Sequence, residues 1–515
     1  MPNLATDLWL RAADAGDRTA LVFGAASITF TELKLRVARC AAGLARAGFR
    51  AGDRLAILLG ARPEFIVAEY AAFALGGVVV PLNIFYQSTE LEAALCGCDV
   101  DFLVTEATFL ERLPAALLAR LPALRAAFLI GADVPVAAGS RFTSFDGLLD
   151  GPAGLADVVE RAPDEVAMML QTSATTGRAK SVMLTVGNLQ FNYGGTPGWL
   201  GLGPDDRILC ALPLYNTFAL NQCIHAMMVT GAELVLLPRF DVQECLNAIE
   251  RHRCTFFPAV PTMLLKLLYD PNVAQRDLRS LRRFLVGAAP VPGPLLEQVF
   301  RVTGPGSVVM AGYGLTEASA LVSLEHCSLD DTGNLHRPRS VGRVLPGMQM
   351  KIIDKLGHEP APGTVGEICI RGPNVMKGYY KLDAETAGTV VDGWLHTGDL
   401  GRVDPDGHFY IVDRKKDLII RGGQNVYPAD LEAVLYEHPA VAEVAVVGVP
   451  DELMGEVPHG FVVLKPGQRA TPEDLLQLCK AQLAYFKVPK VIHILAELPK
   501  GPTGKILRRS LRETT

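Results

Sequence analysis

Gln171 to Leu189 reads QTSATTGRAKSVMLTVGNL. Two hydroxyl pairs, Thr172-Ser173 and Thr175-Thr176, lead into Gly177, Arg178 and Lys180. The apolar run Val166 to Leu170 ahead of them reads as a buried strand. A strand that opens into small hydroxylated residues, a glycine and a lysine has what a phosphate group needs. Backbone N–H groups and hydroxyls can cradle the oxygens, glycine admits close approach, and lysine brings a compact charge. The P-loop pattern would place glycine directly before the lysine, but Ala179 stands there, so this is a phosphate loop of another kind. Alone, the same residues could be an ordinary polar turn, and the rest of the chain must decide.

The chain has 515 residues, more than one hydrophobic core organises, so two or more domains are expected. Its 49% hydrophobic and 20% charged residues suit a soluble globular enzyme. A formal charge of −6 speaks against a general nucleic-acid binder, which would be basic. The ten cysteines form no metal-type framework, since only Cys96 and Cys98 lie close together. A reduced, cytoplasmic protein with buried thiols is expected. The N-terminal MPNLATDLWLRAADAGDR lacks the basic region and apolar core of a secretory signal. The most apolar stretch, Tyr70 to Leu82, is too short to span a bilayer, so no transmembrane segment is expected.

From Leu8 to Leu82 helical and strand patterns alternate. Leu33, Val37, Ala41 and Leu44 recur at helical spacing, Arg54 to Leu59 reads as a buried strand, Pro63 to Leu75 as a helix, and Val78 to Val80 as a strand. Such alternation implies a layered sheet with helices on its faces. It continues through Arg207 to Leu212, Glu233 to Leu237 and Arg283 to Val286. The Ala/Leu-rich run Leu113 to Ala127 reads as a pair of amphipathic helices. After Gly407 the character changes: a short strand, His408 to Val412, runs into the charge cluster Asp413-Arg414-Lys415-Lys416-Asp417, and a small α+β pattern follows.

Six segments, in order, resemble the adenylate-forming enzymes, a family of acyl-CoA synthetases, luciferases and peptide-synthetase adenylation domains. The loop above is similar to their TSGTTGxPKGV, with Ala174, Ala179 and Ser181 replacing a glycine, a proline and a glycine. The others are Gly287-Ala288-Ala289-Pro290, Gly312-Tyr313-Gly314-Leu315-Thr316-Glu317, Trp394 to Asp399, Asp413 to Asp417, and Pro499 to Lys505. The resemblance implies an α/β, multi-domain fold: a large N-terminal domain of layered sheets and helices (1–412), a hinge (413–417), and a small mobile α+β C-terminal domain (418–515).

It also implies ATP, Mg²⁺ and coenzyme A, and a role for each matching residue. Thr172, Ser173, Thr175, Thr176, Gly177 and Lys180 would hold phosphates. Gly287, Ala288, Ala289, Gly312 and Tyr313 would meet adenine, Thr316 the α-phosphate, and Glu317 the metal. Asp399 would take ribose, Arg414 ribose or phosphate, Lys416 would be the hinge, and Lys505 would neutralise charge as a carboxylate attacks the α-phosphate. Arg421, Gly422 and Gly423 would line the thiol tunnel in the manner of acyl-CoA synthetases. The acid pocket would draw on Tyr215, Asn216, Phe218, Val286, Met310 and Leu321. Asn216 stands where fatty-acyl and aryl synthetases often have a histidine, and it could equally be an amide bonded to backbone. The apolar neighbours favour a medium- or long-chain fatty acid, with an aryl or alicyclic acid second. A carrier protein in place of CoA, or a catalytically weakened homologue, are the alternative readings; a monomer or homodimer is expected.

Overall fold

The computed structural model describes residues 3–131, 142–152, 154, 157–172, 180–289, 291–304, 306–501 and 506–513. Ser173, Thr175, Thr176 and Gly177 of the phosphate loop, and Lys505, lie outside them. Among the described residues the strands form three sheets of fourteen, eight and five strands. The protein is mixed α/β, with a large N-terminal sheet domain and a smaller C-terminal domain.

The eight-stranded sheet has a parallel centre, Arg54–Leu58 flanked by Val78–Pro81 and Phe102–Glu106. These strands are continuous apolar runs because helices cover both faces. The helix Phe30–Arg46, which packs on the covering helix Pro63–Ala74, is started by Thr29 and Glu32, which satisfy each other's backbone N–H groups, and it buries Leu33, Val37, Ala41 and Leu44. Pro63–Ala74 itself lies on Arg54–Leu58 and Val78–Pro81 and is buried on nearly every side. Two antiparallel strands extend this sheet, Val166–Gln171 paired with Ser181–Thr185, and the phosphate loop joins them.

The fourteen-stranded sheet changes character at Val308–Leu315. On one side lie parallel strands, with Arg283–Val286 its immediate neighbour. On the other, Ala320–Cys327 returns antiparallel. Gly287 follows directly from one strand, and Gly312 lies within the next. Ligands of open α/β sheets bind beyond the carboxyl ends of such strands. Farther along, Trp394–Val403 pairs with Phe409–Arg414 and sets Asp399 opposite Arg414. The small third sheet contains Ile419–Arg421, Gln424–Val426, Val441–Asp451, Gly455–Leu464 and Val491–Leu495. It has its own core, which includes Ile419, Leu431, Leu435, Val446, Val462 and Ile492.

One expectation fails. Leu113 to Ala127 is not a helix pair: it holds one short helix, Ala115–Ala119, and then enters the strand Ala126–Ile130. Pro114 and Pro122 stop helix on either side, and pairing with Phe102–Glu106 recruits the following residues. The ten cysteines are all free thiols, as expected. No helix among the described residues is long and apolar enough to cross a membrane.

Gly314 shows how tightly the turn after Val308–Leu315 is folded: a Cβ there would be driven into the carbonyl oxygen of Ala320. Gly314→Ala should therefore cost on the order of 3 kcal/mol or more. Gly407→Ala, at φ 82° with open space around it, should cost only about 1 kcal/mol. Chemical denaturation of both variants checks this, and equal losses would refute the packing argument.

Candidate active site

The hairpin that carries the expected phosphate loop is closed at its described ends by Thr172, whose N–H and hydroxyl both donate to the carbonyl of Lys180, at 2.9 and 3.4 Å. Ser181, one of the unusual residues, is an anchor. Its buried hydroxyl accepts the Gln171 amide at 2.8 Å and lies 3.2 Å from the Cys98 thiol. The serine thus adds a side-chain tie across the base of the hairpin.

Lys180 leaves the hairpin with its ammonium 4.6 Å from the centre of the Tyr379 ring. The hydroxyl of the same tyrosine donates to Glu317 Oε1 at 3.1 Å. Burial first, and the Glu317 charge second, raise the Tyr379 phenol and keep it a donor. One ring therefore spaces a cation from a carboxylate. Tyr379 reaches this place because Gly378–Tyr379 pairs with Val182 and Met183 of the hairpin's second strand. Nothing local in its sequence marks it; only that long-range pairing does.

Gly287 and Gly312 lie side by side, and a Cβ on Gly287 would crowd the Gly312 carbonyl at 3.0 Å. Ala288 follows in the left-handed region at φ 65°, costly for a residue with a side chain, and Ala289 is exposed beside it. Tyr313 is buried and donates its hydroxyl to Asp399 Oδ2 at 2.7 Å. Arg414 Nε lies 3.0 Å from Asp399 Oδ1. Burial, then the Asp399 charge, holds the Tyr313 phenol far above its ordinary range, so it donates at any physiological pH. Each carboxylate oxygen has one protein partner here and retains a further lone pair for a hydroxyl donor. Thr316 and Glu317 begin the single helical turn Thr316–Ala318 directly after this strand.

The expected acid-pocket residues do not form one wall. Strand register aligns Val286 with Ala311, on the face of Tyr313, whereas Met310 aligns with Leu285 on the other face. Leu321 belongs with Met310, since a Cβ on Gly312 would meet its Cδ1 and that of Leu285. Tyr215 and Asn216 precede the short helix Thr217–Ala219, which contains Phe218 and widens into a π-helical turn over Leu220–His225, a form common at functional sites. The buried hydroxyl of Tyr215 has no described partner. The Asn216 side chain makes no capping hydrogen bond to this helix.

The strand Phe409–Arg414 runs through the first two residues of the charge cluster, and Lys415 and Lys416 follow exposed to solvent. The hairpin Arg421, Gly422, Gly423, Gln424 turns through two left-handed glycines at φ 55° and 80°. The Arg421 guanidinium donates to the carbonyls of Phe486 and Val488, so it braces the hairpin.

Asp413 is buried at this junction, accepting the N–H groups of Arg414 and Ala429. Burial pushes its carboxyl up to about 6, against the opposing pull of Arg508. A raised carboxyl binds its proton more tightly folded than unfolded. Its contribution is therefore full below pH about 4 and is lost as pH rises through about 6. Relative to Asp413→Asn, the wild type should lose on the order of 2–3 kcal/mol between pH 4 and 7 and nothing further above that. Denaturant titrations of both proteins across pH measure this, and a pH-independent difference would rule it out.

Residues 8–380 match the AMP-binding enzyme family, and residues 430–505 match the AMP-binding enzyme C-terminal domain. The chain is 37% identical to a feruloyl-CoA synthase of Amycolatopsis sp. over 502 residues, covering 98% of this chain and 97% of the relative. It is 34% identical to a long-chain-fatty-acid–CoA ligase of Bacillus subtilis (strain 168), covering 100% and 95%. Among solved structures it is similar to the o-succinylbenzoate CoA synthetase of Bacillus subtilis in complex with its acyl-adenylate intermediate. That likeness has a TM-score of 0.84 and 34% identity, over 99% of this chain and 98% of the other.

Proposed function

This chain belongs to the AMP-binding enzyme family and is an AMP-forming acid–thiol ligase, and from that premise we propose that it joins a hydrophobic carboxylic acid to coenzyme A. The observation that carries the reading is the meeting of Lys180 and Glu317 on Tyr379, beside the strand that holds Tyr313 against Asp399.

In the first half-reaction a carboxylate oxygen of the acid attacks the α-phosphorus of ATP, and pyrophosphate leaves. Thr172, Ser173, Thr175, Thr176, Gly177 and Lys180 hold the β- and γ-phosphates, with Thr316 at the α-phosphate. Adenine lies along Gly287, Ala288, Ala289 and Gly312 beside Tyr313, and the ribose hydroxyls donate to Asp399 next to Arg414. Glu317 Oε1 has a single described hydrogen-bond donor, and no group of three acidic, histidine or cysteine ligands exists among the described residues. One carboxylate completed by phosphate oxygens and water suits Mg²⁺. Held there, Mg²⁺ would neutralise phosphate charge. Lys505 supplies a second positive charge to the attacking and bridging oxygens.

In the second half-reaction the thiol of CoA attacks the acyl carbonyl and AMP leaves. We assign 1–412 to the adenylation domain, 413–417 to the hinge with Lys416 as pivot, and 418–515 to the lid that carries Lys505 in one orientation. In the other, the Gly422-Gly423 turn, braced by Arg421, is presented to the thiol. Met310 and Leu321 on one face of the strand, with Phe218, favour a medium- or long-chain fatty acid. The partnerless hydroxyl of Tyr215 favours a second reading, an aryl acid with a polar substituent.

Pyrophosphate release should be measured with octanoate, palmitate, an aryl propenoate and an amino acid, each with and without CoA. Release with a fatty or aryl acid and not with the amino acid is expected; silence with all four would remove the reading. Lys505→Ala should abolish acid-dependent pyrophosphate release yet leave thiolysis of a supplied acyl-adenylate largely intact. Equal loss of both half-reactions would contradict the role given to Lys505.

A further inference from the structure

The turn that carries Glu317 is held by a run of donors that come from distant parts of the chain. The N–H of Met376 donates to the Glu317 carbonyl at 2.8 Å, and the Asn374 amide to that of Ala318 at 2.8 Å. The Thr217 hydroxyl donates to the Ser319 carbonyl at 3.3 Å, and the Asn192 amide to that of Leu321 at 2.7 Å. The segment needs such holding. Ser319 and Ala320 sit at φ 60° and 133°, where residues with side chains are strained. Ser319 is fully buried, and its own hydroxyl donates to the Asn374 carbonyl at 2.7 Å.

Thr217 differs from the other donors in where it comes from. It lies between Asn216 and Phe218, in the segment expected to meet the acid. Its hydroxyl has one proton, given to Ser319, so the Tyr193 hydroxyl 3.3 Å away must donate to Thr217 Oγ1. Tyr193 is itself fixed, its ring 4.4 Å from that of His225. His225 is buried, with Nδ1 2.9 Å from the Tyr70 hydroxyl and Nε2 3.4 Å from Glu69, whose carboxylate is wholly buried. Two hydroxyls in series, Tyr193 and Thr217, thus reach the strained turn, and the tyrosine ring packs on a buried polar cluster.

We propose that Thr217 is a positioning residue that fixes the spacing between the wall meeting the acid and the turn presenting Glu317. It acts through the Ser319 carbonyl and touches no substrate. The proposal rests on the reading of Glu317 in the preceding subsection. It concerns the first half-reaction alone, because thiolysis makes no use of the phosphate-side carboxylate.

The test uses the full-length enzyme and whichever acid of the panel above gives the fastest pyrophosphate release. Thr217→Val keeps the shape and removes the hydroxyl; it should lower kcat for pyrophosphate release about tenfold, with KM for ATP nearly unchanged. Thr217→Ser restores the hydroxyl and should return kcat to within about twofold of wild type, while thiolysis of a supplied acyl-adenylate stays normal in both variants. Tyr193→Phe leaves the ring on His225, removes the donor to Thr217, and should lower kcat in the same direction by a smaller factor. Wild-type kcat in Thr217→Val, a serine variant no better than valine, or an equal fall in thiolysis overturns the proposal. Glu317→Gln separates the two readings. If it abolishes pyrophosphate release while Thr217→Val is normal, only the tether fails; if it is as active as wild type, the reading of Glu317 fails and the tether with it.

Discussion

The pairing of Gly378–Tyr379 with the second strand of the phosphate hairpin is the constraint on which the site depends. Two residues at a sheet edge bring Tyr379 beneath Lys180 and up to Glu317, which adjoin strands of different sheets. The neighbouring backbone strengthens the join, since Lys377 and Tyr380 donate their N–H groups to the Met183 and Ser181 carbonyls. The Met376 N–H reaches the Glu317 carbonyl from the same short segment. One edge strand therefore clamps the hairpin, the strained turn and the interface between two sheets.

Much of this was legible in the chain. Continuous apolar runs announced the parallel strands, and the helical spacing of Leu33, Val37, Ala41 and Leu44 marked a helix that the structure forms from Phe30 to Arg46. The strand before the expected phosphate loop was plain from Val166 to Leu170, and a layered sheet with helices followed from alternation, while the division into a large and a small domain came from the family resemblance. Where sequence reading failed, the cause was competition from distant partners. Alanine and leucine in Leu113 to Ala127 favour helix locally, but an existing strand offered its edge, and two prolines had divided the run.

The site was legible as segments and not as a surface. Residue types told which groups could meet phosphate or ribose, while the side of a strand on which each would lie depends on register. That is why Val286 and Met310, both apolar and close in space, fall on opposite faces. Tyr379, Thr217 and Tyr193 were invisible for a related reason: each is an ordinary residue whose significance comes from a hydrogen bond to a segment far away. Ser181 was visible only as an oddity, and its anchoring to Gln171 needed the folded hairpin.

The strand Phe409–Arg414 ends later than its sequence suggested, and this bears on how the two parts of the protein could move. Arg414 is the last residue of a strand whose register locks it across from Asp399, and the chain leaves the sheet only at Lys415. A door swung about Lys416 would therefore have its post set in the frame. On the reading proposed above, the two residues assigned to ribose would stay with the large domain through every swing, and the small domain would exchange one face for another without releasing the nucleotide between strokes.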